Sequence, residues 1–96
     1  SNQEFKSQME NSDAIVIDVR TPEEHMEGKI PGSRNINVMD ASFMQQISEL
    51  DKEGDYLLYC RSGGRSGQAI QMMNNQGFYN VAHLAGGMLG WDGSVE

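Results

Sequence analysis

Apolar residues along this chain alternate between short unbroken runs and stretches of helical spacing. Ala14-Ile15-Val16-Ile17 and Tyr56-Leu57-Leu58-Tyr59 are continuous apolar runs rich in β-branched or aromatic residues. Such runs predict strands buried on both faces, as in a parallel sheet. Arg34-Asn35-Ile36-Asn37-Val38 alternates polar and apolar, and Val81-Ala82-His83-Leu84 is a further short run; each predicts a short strand.

Helical signals fill the intervals. Phe5 and Met9, spaced i, i+4, predict an N-terminal helix that Asn11-Ser12-Asp13 breaks. Thr21-Pro22-Glu23-Glu24 reads as a helix start on three counts: Thr21 as N-cap, Pro22 at the first helical position and Glu24 completing a capping box. Gly28 is a natural stop, and Ile30-Pro31-Gly32-Ser33 is a turn. Ser42-Phe43-Met44-Gln45 reads as a second capping box, opening a helix whose apolar face is Phe43, Met44, Ile47 and Leu50. A helical pattern runs from Gly67 to Gln76 with Ala69, Ile70 and Met73 as its buried stripe. Gly77 caps it, with Phe78 just beyond to make the apolar contact typical of such ends. Gly86-Gly87 makes a turn, and Met88 to Trp91 a short terminal helix. Strands alternating with helices predict an α/β fold with a mostly parallel central sheet and helices on both faces. Ligands of open α/β sheets sit at the carboxyl ends of the strands. Asp18-Val19-Arg20 and Cys60 both follow such ends and should lie near each other.

Composition narrows the picture. Ninety-six residues predict one domain over 1–96, burying roughly 60–65% of the unfolded surface. A net charge of −7 argues against a nucleic-acid partner, which would want a basic face. A single cysteine excludes an internal disulfide framework and a multi-cysteine zinc site. His25 and His83 have no ligand spacing around them and read as surface or rim histidines, so no metal is expected. No apolar run reaches membrane-spanning length, and no membrane partner is expected. Ser1-Asn2 reads as a cloning remnant, so a leader or a larger parent protein could have been removed. The compartment stays open, with the cytoplasm favoured and the periplasm an alternative if a leader was lost. A monomer is expected.

The chemistry concentrates in Cys60-Arg61-Ser62-Gly63-Gly64-Arg65-Ser66. A lone cysteine at a strand end is ordinarily a small buried hydrophobe, and a glycine pair after a strand is ordinarily a turn. Here two glycines and two arginines fall within five residues of the sulfur, and a helical pattern starts right behind them. First-turn N–H groups lack intrahelical partners, and the helix dipole adds positive potential. Gly63 and Gly64 let the backbone curl into an anion nest. Arg61 and Arg65 add formal charge. Together these lower a thiol pKa and favour an anion beside the sulfur.

Three segments resemble the rhodanese family. Asp18-Val19-Arg20 with Glu24 and Gly28-Lys29-Ile30-Pro31-Gly32-Ser33 is similar to the family's Asp-x-Arg…Glu…Gly-His-Ile-Pro-Gly-Ala signature. Cys60 to Ser66 resembles its Cys-x-x-Gly-x-Arg-Ser loop, and Leu84-Ala85-Gly86-Gly87-Met88 with Trp91 its closing Leu-x-Gly-Gly-x-x-x-Trp. Lys29 stands where the family usually has His, and Ser33 where it usually has Ala. The resemblance implies a three-layer rhodanese-like fold and sulfur transfer without a cofactor. Cys60 would attack a donor such as thiosulfate, hold the sulfur as a persulfide and pass it to a thiol, cyanide or protein acceptor. The N–H groups of residues 61 to 66, and so Ser62, Gly63, Gly64 and Ser66, would converge on that persulfide. Arg61 and Arg65 would hold the donor's oxygens, with Arg65 equally suited to fold inward onto a carboxylate. Asp18 and Arg20 would serve as structural support. Two rivals share the architecture. Phosphatases and arsenate reductases want Cys-x5-Arg, whereas this loop is Cys-x4-Arg. A sulfur carrier or binding module of a larger protein would use the same persulfide.

Overall fold

The computed structural model describes residues 2–96, the side chain of Asn11 excepted. Ser1, half of the expected cloning remnant, lies outside them. The chain runs α1 (Asn2–Asn11), β1 (Ile15–Asp18), α2 (Pro22–Glu27), β2 (Arg34–Asn35), α3 (Phe43–Ser48), β3 (Tyr56–Tyr59), α4 (Gly64–Asn75), β4 (Val81–His83) and a 3-10 turn, Met88–Gly90. The four strands form one sheet in the order β2-β1-β3-β4, and every pairing is parallel.

The unbroken apolar runs become the two central strands because both sheet faces are covered. Ile17, Tyr56, Leu58 and Cys60 face one core with Phe43 and Ile47 of α3 and Ala69 and Met73 of α4. Val16, Leu57 and Tyr59 face the other with Phe5 of α1, Ile30 and Leu84, and Met88 and Trp91 pack at its edge. Successive strand residues point to opposite faces, so each run feeds two cores at once. Truncating a fully buried residue such as Leu58 would cost about 2–5 kcal/mol.

Helix starts divide into one that matches its signal and two that depart. Thr21 caps α2 as a complete box: Glu24 N–H donates to Thr21 Oγ1 at 3.2 Å and Thr21 N–H to Glu24 Oε1 at 3.1 Å. The box at Ser42 is absent. Ser42 makes no side-chain cap to α3, because Asp40 Oδ1 accepts both its N–H and its hydroxyl at 2.8 Å. Its oxygen meanwhile accepts from Gln46 Nε2. A side chain engaged from both sides cannot turn to the first-turn amides. The last helix, α4, starts at Gly64 rather than Gly67, so Gly64, Arg65 and Ser66 form its first turn. At its far end Gly77, with φ +94°, and the fully buried Phe78 close the helix as expected.

The strand order places the site. From β1 the chain goes to β2 on one side of the sheet, and from β3 it goes to β4 on the other. The reversal falls between β1 and β3, whose carboxyl ends are level, with Asp18 paired to Tyr59. Connections diverge above that point and leave a crevice between them.

Candidate active site

Strand β3 delivers Cys60 into this crevice. Gly63 carries the left-handed turn that redirects the chain into α4 (φ +101°), and a Cβ there would overlap the carbonyl oxygen of Ala85. Gly87, also left-handed (φ +63°), lies against the Arg61 carbonyl so closely that a Cβ would collide with that backbone. Two hydrogen bonds complete the seat: Met88 N–H donates to Cys60 O at 2.9 Å and Leu89 N–H to Arg61 O at 3.0 Å. The segment 85–89, read from the sequence as a turn and a terminal helix, is thus the floor of the cysteine loop. Its signal was the glycine pair itself, since close backbone approach is what glycine permits.

Cys60 is 1% exposed, and its sulfur is surrounded by neutral donors. Gly63 N–H reaches Cys60 Sγ at 3.0 Å and Ser66 N–H at 3.4 Å. The Ser66 hydroxyl lies 3.6 Å away, receiving from the thiol or, once the thiol ionises, donating to the thiolate. Burial by itself would push the thiol pKa up. The hydroxyl and N–H of Ser66, with the N–H groups of Gly63 and Ser62, outweigh that and bring it below the usual thiol value. At the thiol sulfur itself, Gly63 and Ser66 bond and Ser62 assists. Gly64 and Arg65 open α4, where N–H groups have no intrahelical partner.

The two arginines separate. Arg61 is exposed, and its side chain makes no hydrogen bond or ion pair among the described residues. Arg65 turns to Glu24 of α2 in a two-pronged pair, Nη1 to Oε1 at 2.6 Å and Nη2 to Oε2 at 2.9 Å. The guanidinium beside it, with help from Thr21, draws the Glu24 carboxyl down to about 2. Glu24 thus closes the N-terminal box of α2 and anchors the first turn of α4. Of the alternatives for Arg65, the inward fold onto a carboxylate is the one present.

Asp18 and Arg20 form a buried cluster at the end of β1. Arg20 Nε and Nη2 donate to the two Asp18 oxygens at 2.9 and 2.7 Å, and Nη2 also reaches Gly28 O at 2.6 Å. The Arg20 guanidinium lies 5.5 Å from the centre of the Tyr59 ring, whose hydroxyl holds the following turn through Ile30 N–H and Ser33 Oγ. Asn35 Nδ2 bridges the carbonyls of Asp18 and Arg20. Burial pulls the Asp18 pKa up, but the bonds from Arg20 and His25 prevail and it ends below the usual carboxylate range.

Both histidines have specific partners that sequence spacing did not show. His25 Nδ1 sits 2.9 Å from Asp18 Oδ2, and His83 Nδ1 sits 2.7 Å from Ser66 Oγ. Each partner comes from a different element, so local pattern carries no trace of it. Two surface clefts of about 410 Å³ lie elsewhere, one beside Gln8, Asp55 and Tyr79 and one beside Lys6, Ile30 and Trp91. Neither borders Cys60. The loop, by contrast, holds a latent thiolate inside an array of fixed donors, which suits nucleophilic attack and retention of a small anionic product.

Known proteins with this arrangement are informative. The family model for the rhodanese-like domain matches residues 1–94. A sulfurtransferase of Allochromatium vinosum is 35% identical over 82 residues, covering 85% of this chain and 75% of that one. A candidate sulfur carrier protein of Bacillus subtilis, YrkF, is 31% identical over 93 residues, which are 96% of this chain but 49% of that longer one. Among solved structures, the human single-domain sulfurtransferase superposes with a TM-score of 0.78 at 29% identity, covering 96% of this chain and 94% of that one. A rhodanese-like domain protein of Staphylococcus aureus gives 0.85 at 27% identity over 99% and 92%. The parallel sheet, the cysteine loop at its reversal point and these matches lead to one conclusion: the chain belongs to the rhodanese-like sulfurtransferase family.

Proposed function

We propose that this protein moves sulfane sulfur through a persulfide on Cys60, taking it from thiosulfate or a persulfide donor and giving it to a thiol, cyanide or protein acceptor. The observation that carries the reading is the pair of backbone N–H groups, Gly63 and Ser66, on Cys60 Sγ at 3.0 and 3.4 Å. Donors fixed before reaction stabilise negative charge without reorganising. In the first step the Cys60 thiolate attacks the outer sulfur of thiosulfate. A sulfur–sulfur bond forms to Cys60, the donor's own breaks, and sulfite leaves with the electron pair. In the second step an acceptor thiolate attacks the outer sulfur and the Cys60 thiolate leaves. The outer sulfur of the intermediate extends beyond Sγ, where the N–H groups of Gly64 and Arg65 are available to it. Arg61, exposed and unpaired among the described residues, is the cation free to meet the donor's oxygens. Arg65 supports the site by joining α4 to α2.

Oxyanion chemistry of the phosphatase kind is disfavoured on the same geometry. It needs a guanidinium closing the loop, and Arg65 is held by Glu24. A carrier role has a specific support, the likeness to a candidate sulfur carrier of which this chain matches 49%. Intact mass after incubation with thiosulfate tests the persulfide directly. One added sulfur atom, absent from Cys60→Ser, is the expected result; no adduct with thiosulfate or with a low-molecular-weight persulfide would sink the proposal. Turnover with cyanide or a thiol then separates enzyme from carrier.

A further inference from the structure

We propose that His83 is a positioning residue for Cys60: acting through Ser66, it accepts the thiol proton and turns the serine hydroxyl toward the thiolate. Its purpose rests on the persulfide reading above, but its test does not.

The geometry is a directed chain. Ser66 is fully buried and its Oγ has three neighbours: His83 Nδ1 at 2.7 Å, Gly63 O at 3.2 Å and Cys60 Sγ at 3.6 Å. A serine hydroxyl has one proton to give. The contact to His83 is the shorter, 2.7 Å against 3.2 Å to Gly63 O, so a neutral His83 with Nδ1 unprotonated takes the hydroxyl proton. The thiol S–H then donates to Ser66 Oγ. Ionisation reverses every bond in the chain. The S–H bond breaks as an O–H bond forms on Ser66, and the original O–H breaks as an N–H forms at His83 Nδ1. Afterwards His83 N–H donates to Ser66 and Ser66 O–H donates to the thiolate. The serine ends neutral, no electron changes hands, and the product is a thiolate and an imidazolium bridged by one hydroxyl. Neither sulfur-transfer step changes the charge beside Ser66, because a thiolate and a persulfide carry the same charge.

The surroundings leave His83 free for this task. From β3 its register partner is Leu58. From α4 it meets Ser66 and Gly67, where a Cβ would stand 3.7 Å from the ring. No carboxylate or cation acts on the imidazole among the described residues; burial alone lowers its pKa, which keeps it a neutral acceptor near neutral pH. Of the charged groups around Cys60, Arg61 is solvent-exposed and Arg65, which senses the thiolate, is tied to Glu24. Thiol and imidazole therefore titrate as one coupled pair.

The test is a pH titration of thiolate ultraviolet absorbance with no sulfur donor present. The chain has one cysteine, so Cys60→Ser is the blank. His83→Leu and Ser66→Ala should each lower the thiolate fraction below the pKa about tenfold. The double variant should lose no more than the larger single loss, as for residues acting through one another. His83→Asn, which retains a hydrogen-bonding partner without titrating, should recover part of the fraction. On the unaltered fold, imidazole nitrogen NMR should show a His83 step coincident with the thiol's, gone in Cys60→Ser. His83→Leu titrating like the parent protein, additive losses in the double variant, or no coincident step would each overturn the proposal. Failure of sulfur transfer would not touch these results, and these could fail while the persulfide forms.

Discussion

The carboxyl ends of β1 and β3 lie side by side, and they treat a buried polar group in opposite ways. Asp18, fully buried, meets a guanidinium with both its oxygens, a backbone N–H and an imidazole. Its charge is permanent and balanced where it stands. Cys60, one residue beyond the partner of Asp18, meets two N–H groups and a hydroxyl, all neutral, and no side-chain cation bonds it among the described residues. The contrast separates a charge that fastens loops from a charge that can be made, passed on and remade. A sulfur among fixed neutral donors has its anion stabilised without being locked to a neighbouring charge, and it stays available as a nucleophile.

Breaking each side should give opposite phenotypes. Cys60→Ser should abolish sulfur transfer completely while leaving the denaturant midpoint near that of the parent protein. A variant that retained transfer would place the chemistry elsewhere. Asp18→Ala should do the reverse, destabilising the fold by about 3–5 kcal/mol, because it leaves the Arg20 charge uncompensated in the interior. Urea unfolding measures that loss, and a change below about 1 kcal/mol would place the pair in the class of weak surface bridges. Arg61→Ala should lower kcat/KM for thiosulfate about tenfold, the scale of one charge-assisted contact, with stability unchanged and a neutral persulfide donor little affected. Equal losses with both donors would assign Arg61 a structural role.

The smallest effect concerns acid. The folded-state pKa of Glu24 lies at about 2, below its ordinary 4.5. The ion pair with Arg65 therefore stabilises the fold fully above pH 4.5, and that stabilisation is lost as the pH falls toward 2. The side chains are about a quarter exposed, 25% and 26%, so solvent screens the pair and the effect should be modest. Glu24→Gln should flatten the fall of the unfolding midpoint over that acid range; an unchanged slope would mean that the pair contributes nothing to the fold. Asp18 acts in the same direction, its depressed pKa adding stability that acid removes.

Much of the frame was legible because it depends on local pattern. Unbroken apolar runs marked β1 and β3, and the box at Thr21 marked α2. The conjunction of glycine, arginine and a helix start around Cys60 marked the loop. What stayed hidden required knowing who sits opposite. The Ser42 box had the right residues, but Asp40 competes for the same serine. The choice between the two uses of Arg65 turned on Glu24, 41 positions away. Gly87 reads as a turn in the sequence, and the Arg61 carbonyl against it belongs to another segment.

Sequence alone determined the element order, the mostly parallel sheet and the cysteine at a strand's carboxyl end, because hydrophobic period and turn chemistry act within a few residues. Tertiary structure alone decided which groups touch the sulfur, which arginine is free and what stands behind Ser66. Those are contacts between elements, and hydrogen bonds are set by positions to a fraction of an ångström. No spacing within one segment encodes a distance to another.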